Sequence, residues 1–281
     1  MRSIFAVTLA LLLAAGNTAA ADDYVERMSQ EHSADKPVAS PAAMVPPEGQ
    51  IEEKEVEYAS LEGRAIRGFF ARPAGAAAAP GIIVIHEWWG LNDNIRAMAR
   101  RLAGEGYQAL AVDLYEGRVT EKRKEASAFM KEAMSSSRRL EENLQQAYAW
   151  LEKEGAAPRI GVIGWCFGGS WSLQTALLFP DSLDAAVIYY GKLLTAPEAL
   201  RTLSMPILGI FGSRDKGIPL ERVEKFRDTL KSLGKEADIV IYDGAEHAFA
   251  NPSGTRYKED AAADAWKRTG DFLSRHLKGT P

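Results

Sequence analysis

The sequence has one cysteine, Cys166, among its 281 residues, and a single thiol cannot form an internal disulfide. A disulfide-stabilised scaffold is therefore excluded. An excess of positive charge is also missing, because 34 lysine and arginine residues are outnumbered by 38 aspartate and glutamate residues. Without a basic footprint, nucleic acid is not an expected partner. The 46% of hydrophobic and 26% of charged residues are ordinary for a globular protein and exclude a chain that is disordered throughout.

Apolar runs of the roughly 20 residues that cross a bilayer are missing too. The apolar run at residues 4–15 follows Arg2 and precedes small residues at 18–21. A basic start, a short apolar run and an A-x-A site are typical of a secretory signal peptide. We therefore predict that residues 1–21 are removed and that the protein is exported, either to a periplasm or out of the cell, with no membrane partner afterwards. A retained membrane anchor is the alternative interpretation.

Residues 22–50 are polar and contain four prolines, which predicts a flexible and mostly unstructured leader without a packed core. The pattern changes at Ile51, and residues 51–281 are predicted to form one folded domain. Two extended runs separated by Glu62 and Gly63 predict an opening antiparallel hairpin.

Six short apolar runs after Pro80 alternate with amphipathic helical stretches. The runs are residues 82–85, 109–112, 160–163, 185–188, 207–210 and 239–241. Near-continuous apolarity over so few residues predicts strands that are buried on both faces. The alternation therefore predicts an α/β fold, a mainly parallel twisted sheet with helices on both faces. Ligands bind outside the carboxyl ends of such strands, so functional residues should follow each run directly.

Cys166 follows the third of these runs, between Gly164 and Gly168. Glycines on both sides permit a sharp strand-to-helix turn that holds the sulfur at a helix N-terminus, where a thiolate is favoured. This context predicts a nucleophile, and a small buried cysteine in a tight turn is the alternative. No G-x-S-x-G motif occurs in the sequence, so the candidate nucleophile is sulfur.

A thiol nucleophile needs a base and a group that orients the base. Asp215 follows the run at 207–210 and His247 follows the run at 239–241, so both should meet Cys166 at the carboxyl edge of the sheet. The chain order of nucleophile, acid and histidine is that of the α/β-hydrolase fold. Asp243 and Glu246 compete with Asp215 on proximity alone, and we interpret them as solvated charges.

Two other histidines carry less weight in this reasoning, because His32 lies in the leader and His276 on the last predicted helix. The segment 86–92 begins with a His-Glu pair, but a zinc protease would need a second histidine at position 90, which is glycine. No metal site is therefore predicted.

The same segment follows the first apolar run, and in hydrolases this loop supplies one N–H of the oxyanion hole. We assign that donor to Trp88 and the second donor to Phe167. Glu87 would then lie near the thiol, with a structural ion pair as the alternative.

Taken together, five segments resemble the dienelactone hydrolase family, and the resemblance extends from about Ile51 to Leu277. The segments are His86 to Asn92, Asp113 to Tyr115, Gly164 to Gly169, Asp215 and His247. The resemblance implies that Cys166 is the nucleophile, His247 the base and acid, and Asp215 the orienting group. It also implies that the Glu87 carboxylate interacts with the resting thiol.

The sequence departs from the family at the positions that bind a substrate carboxylate. The family has an arginine shortly after the Leu-Tyr pair and another four residues beyond the histidine. Here Arg118 is displaced by one position and Asn251 stands at the second, which weakens the case for dienelactone itself. Trp89, Tyr115 and Phe249 are candidates for the walls of a substrate pocket, with a role in the core as the alternative.

The expected function is hydrolysis of a small ester or lactone through a Cys-His-Asp triad and a thioester acyl-enzyme. No cofactor is expected, the partner is a small-molecule substrate, and a monomer is the default assembly. Two alternatives use the same residues differently. One is a redox-reactive thiol protein, although the chain offers no resolving cysteine, and the other is a non-catalytic ligand-binding protein with the hydrolase fold.

Overall fold

A computed structural model of the chain describes residues 23–35, 37–41, 43–76 and 78–279. The predicted signal peptide, residues 1–21, lies outside the described residues. No helix in the described ranges is both long enough and apolar enough to cross a membrane.

Eight strands form one sheet in the order β1-β2-β4-β3-β5-β6-β7-β8. The strands are β1 (Ile51–Leu61), β2 (Arg64–Pro73), β3 (Gly81–Ile85), β4 (Gln108–Val112), β5 (Ile160–Trp165), β6 (Ala185–Tyr189), β7 (Ile207–Gly212) and β8 (Ala237–Tyr242). β2 is antiparallel to both of its neighbours, whereas the other pairs are parallel. The predicted hairpin and the six predicted strands are confirmed, although β8 at the sheet edge is only partly buried.

The helices follow the strands in the predicted alternation. They are α1 (residues 23–31), α2 (Asp93–Gly104), α3 (Arg123–Ser135), α4 (Ser137–Lys153), α5 (Phe167–Leu178), α6 (Pro197–Leu200), α7 (Leu220–Ser232) and α8 (Glu259–Leu273), with a π-helical turn at Ser274–Lys278. Two helices, α3 and α4, connect β4 to β5, where simple alternation predicts one.

Two consecutive residues of β2 show that helices cover both faces of the sheet. The Phe69 ring lies under the guanidinium groups of Arg96 and Arg100 of α2, at 5.1 and 4.8 Å. The Phe70 ring contacts Trp150 of α4, with the ring centroids 4.9 Å apart. Because neighbouring side chains of a strand point to opposite faces, α2 and α4 lie on opposite faces of the sheet.

The leader differs from its prediction, because residues 23–31 form a helix that packs against the domain. Tyr24, Met28 and His32 are spaced four residues apart, and each is at most 1% exposed. This spacing places them on one side of the segment. Three large side chains barely change the composition of so polar a stretch, which is why composition alone predicted an unstructured leader.

Candidate functional site

Cys166 occupies the sharp turn between β5, which ends at Trp165, and α5, which begins at Phe167. Its backbone has φ 56° and ψ −114°, a strained conformation for a residue with a side chain. The flanking glycines are required by space. A Cβ on Gly164 would lie 2.3 Å from the Gly168 carbonyl oxygen, and one on Gly168 would lie 2.3 Å from that of Ile85. The G-x-C-x-G pattern therefore holds strand, turn and helix in close contact.

Replacing Gly164 by alanine is expected to destabilise the protein by about 3 kcal/mol, because β5 and α5 must separate to admit the methyl group. Urea unfolding would measure the loss. Gly270→Ala in α8 is the matched control, since a Cβ there would have the Glu105 carboxylate as its nearest neighbour, at 3.9 Å. It should stabilise the protein by roughly 0.5–1 kcal/mol. Equal unfolding midpoints for the two variants would contradict the account of the turn.

Asp215 and His247 meet beyond the carboxyl ends of β7 and β8, as the sequence predicted. Asp215 Oδ2 lies 2.8 Å from His247 Nδ1, and both side chains are fully buried. The other carboxylate oxygen accepts the N–H of Ile218 at 2.8 Å, which fixes the carboxylate in place. Asp243 instead accepts a hydrogen bond from a serine hydroxyl, and Glu246 is exposed. Of these three carboxylates, Asp215 is therefore the one that bonds the imidazole.

Cys166, His247 and His32 form one buried cluster, in which their ligand atoms all lie within 4.8 Å of one another. His32 Nε2 is 3.5 Å from Cys166 Sγ, and His32 Nδ1 is 2.6 Å from Asp35 Oδ2. No described atom hydrogen-bonds to the buried His247 Nε2. The low weight given to His32 from the sequence is thus corrected. The leader folds back over the carboxyl ends of the strands. It brings a second imidazole, which is bonded to Asp35, to the thiol.

Leader side chains cover the sulfur completely. Met28 Sδ lies 3.8 Å from Cys166 Sγ, and the His32 ring stacks on Trp88 with centroids 4.9 Å apart. Cys166 is 0% exposed as a result. A substrate cannot reach the sulfur while the leader is seated.

Polar contacts anchor the leader to the domain on both sides of this cover. The Tyr24 hydroxyl lies 3.1 Å from Ser170 Oγ in α5. Arg256 bonds Glu31 and Asp35 with side-chain distances of 3.1 Å each, and it also donates to the Glu31 carbonyl. The guanidinium and both carboxylates are at most 14% exposed. Such partly desolvated pairs hold position more firmly than ion pairs in water.

Charges within the cluster favour a thiolate beside protonated imidazole. Burial raises the pKa of the Cys166 thiol, but the imidazoles of His247 and His32 outweigh it and lower the pKa to about 6. Burial lowers the pKa of His247, yet the Asp215 carboxylate and the sulfur raise it well above its usual value. The pKa of His32 is also raised, since its bonds to Asp35 and Cys166 exceed the effect of burial.

Glu87 is buried beside the cluster but bonds Asn251 and not the thiol. Asn251 Nδ2 donates to Glu87 Oε2 at 2.7 Å, and Oε1 has no hydrogen-bond partner among the described residues. The sulfur contacts Met28 and His32 where the family resemblance implied Glu87. Burial, and next the charge on Cys166, raise the pKa of Glu87 to about 7. Asn251 therefore positions a carboxylate, a contact that the sequence did not reveal.

Glu87→Gln should remove a pH dependence of stability. Between its usual pKa of 4.5 and the folded value of about 7, the folded protein keeps a proton that the unfolded chain has lost. The stabilisation is thus complete below pH 4.5 and is lost as the pH rises through 7. Relative to the variant, the wild type should lose on the order of 3 kcal/mol over this window. Urea unfolding across the window measures the difference, and parallel curves for the two proteins would refute it.

Trp88 and Phe167 are the residues whose N–H groups the sequence assigned to the oxyanion hole. Within the described part of the chain, neither of them donates its N–H to a backbone carbonyl. His86 fixes the loop that carries Trp88, because its Nε2 accepts the N–H of Leu114 at 3.1 Å and its Nδ1 bonds the Glu87 carbonyl at 2.5 Å. His86 therefore has a structural role.

The three aromatic candidates for pocket walls are buried around the cluster. Trp89, Tyr115 and Phe249 are each at most 1% exposed. The Trp89 ring lies 5.8 Å from the His32 ring, and the Tyr115 ring lies 5.3 Å from that of Phe167. With the leader seated, these rings pack as core residues do.

Arg118 is engaged away from the thiol. Its guanidinium bonds Glu132 at 2.6 Å and lies over the Phe129 ring at 4.6 Å. It lines a cleft of about 370 Å³ whose lining includes neither Cys166 nor His247. Arg118 is therefore paired with Glu132 and lines a cleft separate from the thiol.

Comparisons with known proteins agree with this architecture. The model of the dienelactone hydrolase family matches residues 66–277. A Saccharolobus solfataricus protein named as a carboxymethylenebutenolidase is 34% identical over 263 residues, which cover 80% of this chain and 100% of the relative. A Salmonella typhimurium protein of the same name is 33% identical and covers 85% of this chain and 94% of its own length.

A solved structure gives the same result in three dimensions. A Klebsiella pneumoniae protein described as a dienelactone hydrolase superimposes with a TM-score of 0.73 and 31% identity, covering 81% of this chain and 100% of that protein. The family match over most of the chain and these relatives show that the chain belongs to the dienelactone hydrolase family.

Proposed function

We propose that this hydrolase cleaves a small carboxylic ester or lactone through a thioester formed on Cys166. His247 serves as the acid and base, and Asp215 orients it. The observation that carries the proposal is the strained turn at Cys166 together with an Asp215-bound imidazole whose Nε2 has no hydrogen-bond partner among the described residues. A nucleophile, a base and an orienting carboxylate are the parts that covalent acyl transfer requires.

In the first half-reaction the Cys166 thiolate attacks the ester carbonyl carbon, and the electron pair of the carbonyl moves onto its oxygen. Collapse of the tetrahedral intermediate breaks the bond to the alkoxy oxygen, which takes a proton from His247 Nε2. The thioester remains on the sulfur. In the second half-reaction His247 removes a proton from water, the resulting hydroxide attacks the thioester, and the acid leaves as the thiolate is restored.

The oxyanion of both tetrahedral intermediates would be bound by the N–H groups of Trp88 and Phe167. Preorganised donors of this kind contribute strongly, because they face charge that develops only during the reaction. The start of α5 at Phe167 adds the positive end of a helix dipole at the same place.

The substrate class follows from what lies around the cluster. Trp89, Tyr115 and Phe249 are apolar surfaces that would contact an acyl or aromatic group once the leader moves. Asn251 is neutral and bonded to Glu87, and Arg118 is paired with Glu132, so an anionic substrate would lack two free cationic contacts. We therefore propose uncharged esters and lactones ahead of dienelactone itself.

Export remains part of the proposal, on the basis of residues 1–21. A thiol covered by the leader would suit an oxidising compartment, because oxidation of cysteine depends on exposure as well as on thiolate character.

The proposal is tested by trapping the acyl-enzyme. Rapid mixing with a p-nitrophenyl ester, followed by acid quenching, should give a peptide containing Cys166 with the mass of the acyl group added. His247→Ala should lower kcat/KM at least about a hundredfold, because proton transfer to the leaving oxygen and from water is lost. A panel of uncharged and anionic esters and lactones then tests the substrate class. Turnover without a burst of product or an acyl adduct would refute the thioester.

A further inference from the structure

The buried cluster combines ligand atoms that the hydrolytic reaction does not require together. Cys166 Sγ lies 3.5 Å from His32 Nε2 and 3.8 Å from Met28 Sδ. A ring nitrogen of His247 lies within 4.8 Å of both the thiol sulfur and the His32 nitrogen. A tetrahedral ion with bonds of about 2.3 Å to sulfur and about 2.0 Å to nitrogen separates such atoms by roughly 3.5 Å. The distance between Cys166 Sγ and His32 Nε2 already fits, so only the His247 imidazole would have to move closer to the other two ligands.

Both imidazoles are oriented as metal-binding histidines usually are. His32 Nδ1 bonds Asp35 at 2.6 Å, and His247 Nδ1 bonds Asp215 at 2.8 Å. In the described ranges, neither Nε2 is bonded to a carboxylate. A carboxylate bound to the far nitrogen fixes the ring and raises its basicity as a ligand. Hydrolysis needs one such histidine, His247, and does not explain why His32 is paired with Asp35 in the same way.

The surroundings also supply charge and exclude water. Cys166, His32 and His247 are at most 1% exposed. Glu87 is buried nearby with Oε1 unpartnered among the described residues, so its ionised form can offset the charge of a cation. Thiolate and imidazole are both ligands that zinc binds in tetrahedral sites.

We propose that His32, Cys166 and His247 bind a thiophilic transition-metal ion of the zinc type, with Met28 Sδ beside the remaining coordination position. Binding releases the protons held on the two Nε2 atoms and on any neutral thiol to solvent. The ion occupies the sulfur and the base of the proposed hydrolytic reaction, so the metal form does not turn over. It also joins the leader to the domain, because His32 belongs to the leader whereas Cys166 and His247 belong to the domain.

Spectroscopy with Co²⁺, a stand-in for Zn²⁺ in tetrahedral sites, tests the proposal on purified, reduced and metal-free protein. Titration is expected to give a thiolate-to-cobalt charge-transfer band in the near ultraviolet and intense ligand-field bands in the visible. Stoichiometric Zn²⁺ should remove both. Absence of the charge-transfer band in the wild type would overturn the proposal.

Two variants distinguish metal binding by the whole cluster from metal binding by the Cys166 thiol alone. His32→Gln should weaken Zn²⁺ binding at least about a hundredfold, and Asp35→Asn, which removes only the orienting carboxylate, by about 10–100-fold. His276→Gln is the control, since His276 lies 3.7 Å from Glu236, outside the cluster, and its loss should change nothing. An unchanged affinity of His32→Gln for Zn²⁺ would also overturn the proposal. If that variant does not fold, an unchanged affinity of Asp35→Asn for Zn²⁺ has the same consequence.

The hydrolytic proposal and the metal proposal fail separately. Ester hydrolysis by the metal-free protein tests only the former, and the cobalt spectrum is recorded without substrate. If both hold, Zn²⁺ should inhibit ester hydrolysis by the wild type, and EDTA should restore it. Inhibition of His32→Gln should require a Zn²⁺ concentration at least about a hundredfold higher.

Discussion

Cys166→Ala is expected to reduce turnover of a p-nitrophenyl ester to the level of the uncatalysed reaction, a loss of about 10³–10⁶-fold. The variant removes the atom on which the proposed thioester would form and keeps the N–H groups of Trp88 and Phe167, the proposed oxyanion donors. Steady-state kinetics on the wild type and the variant, purified in parallel, measure the loss. Retention of a tenth or more of the wild-type rate would exclude Cys166 as the nucleophile.

Cys166→Ser is the informative companion, because it keeps a nucleophilic atom at the turn. The cluster lowers the pKa of the thiol to about 6, so the proposed nucleophile would be a thiolate at neutral pH. A serine hydroxyl has no comparable ionised form there and depends entirely on His247 as a base. We expect the serine variant to lie between the wild type and the alanine variant. Equal rates for serine and wild type would mean that the thiolate is not the reacting species.

The sheet and the meeting of three side chains at its edge were predictable from local patterns. Strands such as β3 and β5 are short apolar runs that each reveal themselves over about five residues. Cys166, Asp215 and His247 directly follow such runs, and parallel strands bring their carboxyl ends to one edge. Fold and residue order were therefore sufficient to place these three side chains.

Contacts between residues far apart in the sequence, those of the leader among them, could not be predicted in this way. His32 reaches Cys166 across 134 residues of sequence, and Asn251 reaches Glu87 across 164. No local pattern specifies such pairs, since they depend on how a segment packs after the sheet has formed. The spacing of Tyr24, Met28 and His32 was the available signal, and it is short in a segment rich in polar residues and proline.

A variant that loosens the leader should expose the thiol. Arg256 connects the domain to Glu31 and Asp35 in a setting that is at most 14% exposed. Replacing it by alanine removes both pairs from the closed state, and a loss of about 1.4–2.8 kcal/mol there raises the open population about 10–100-fold. The rate of Cys166 alkylation by iodoacetamide should rise by the same factor, because the reagent reaches the sulfur only in the open state. Mass spectrometry of the peptide containing Cys166 measures this rate.

Arg268→Ala is the matched control, because the Arg268 pair with Asp264 is about half exposed and lies on α8, away from the leader. Alkylation in this variant should match the wild type, and an unchanged rate in Arg256→Ala would mean that the leader does not limit access.

Hydrolysis measured on the same two variants then separates two roles of the leader. If it only covers the site, kcat/KM should rise with alkylation in Arg256→Ala. If His32 also positions the thiolate during turnover, alkylation should rise while kcat falls. His32 moves away from Cys166 in the open state, and it is one of the two imidazoles that lower the pKa of the thiol.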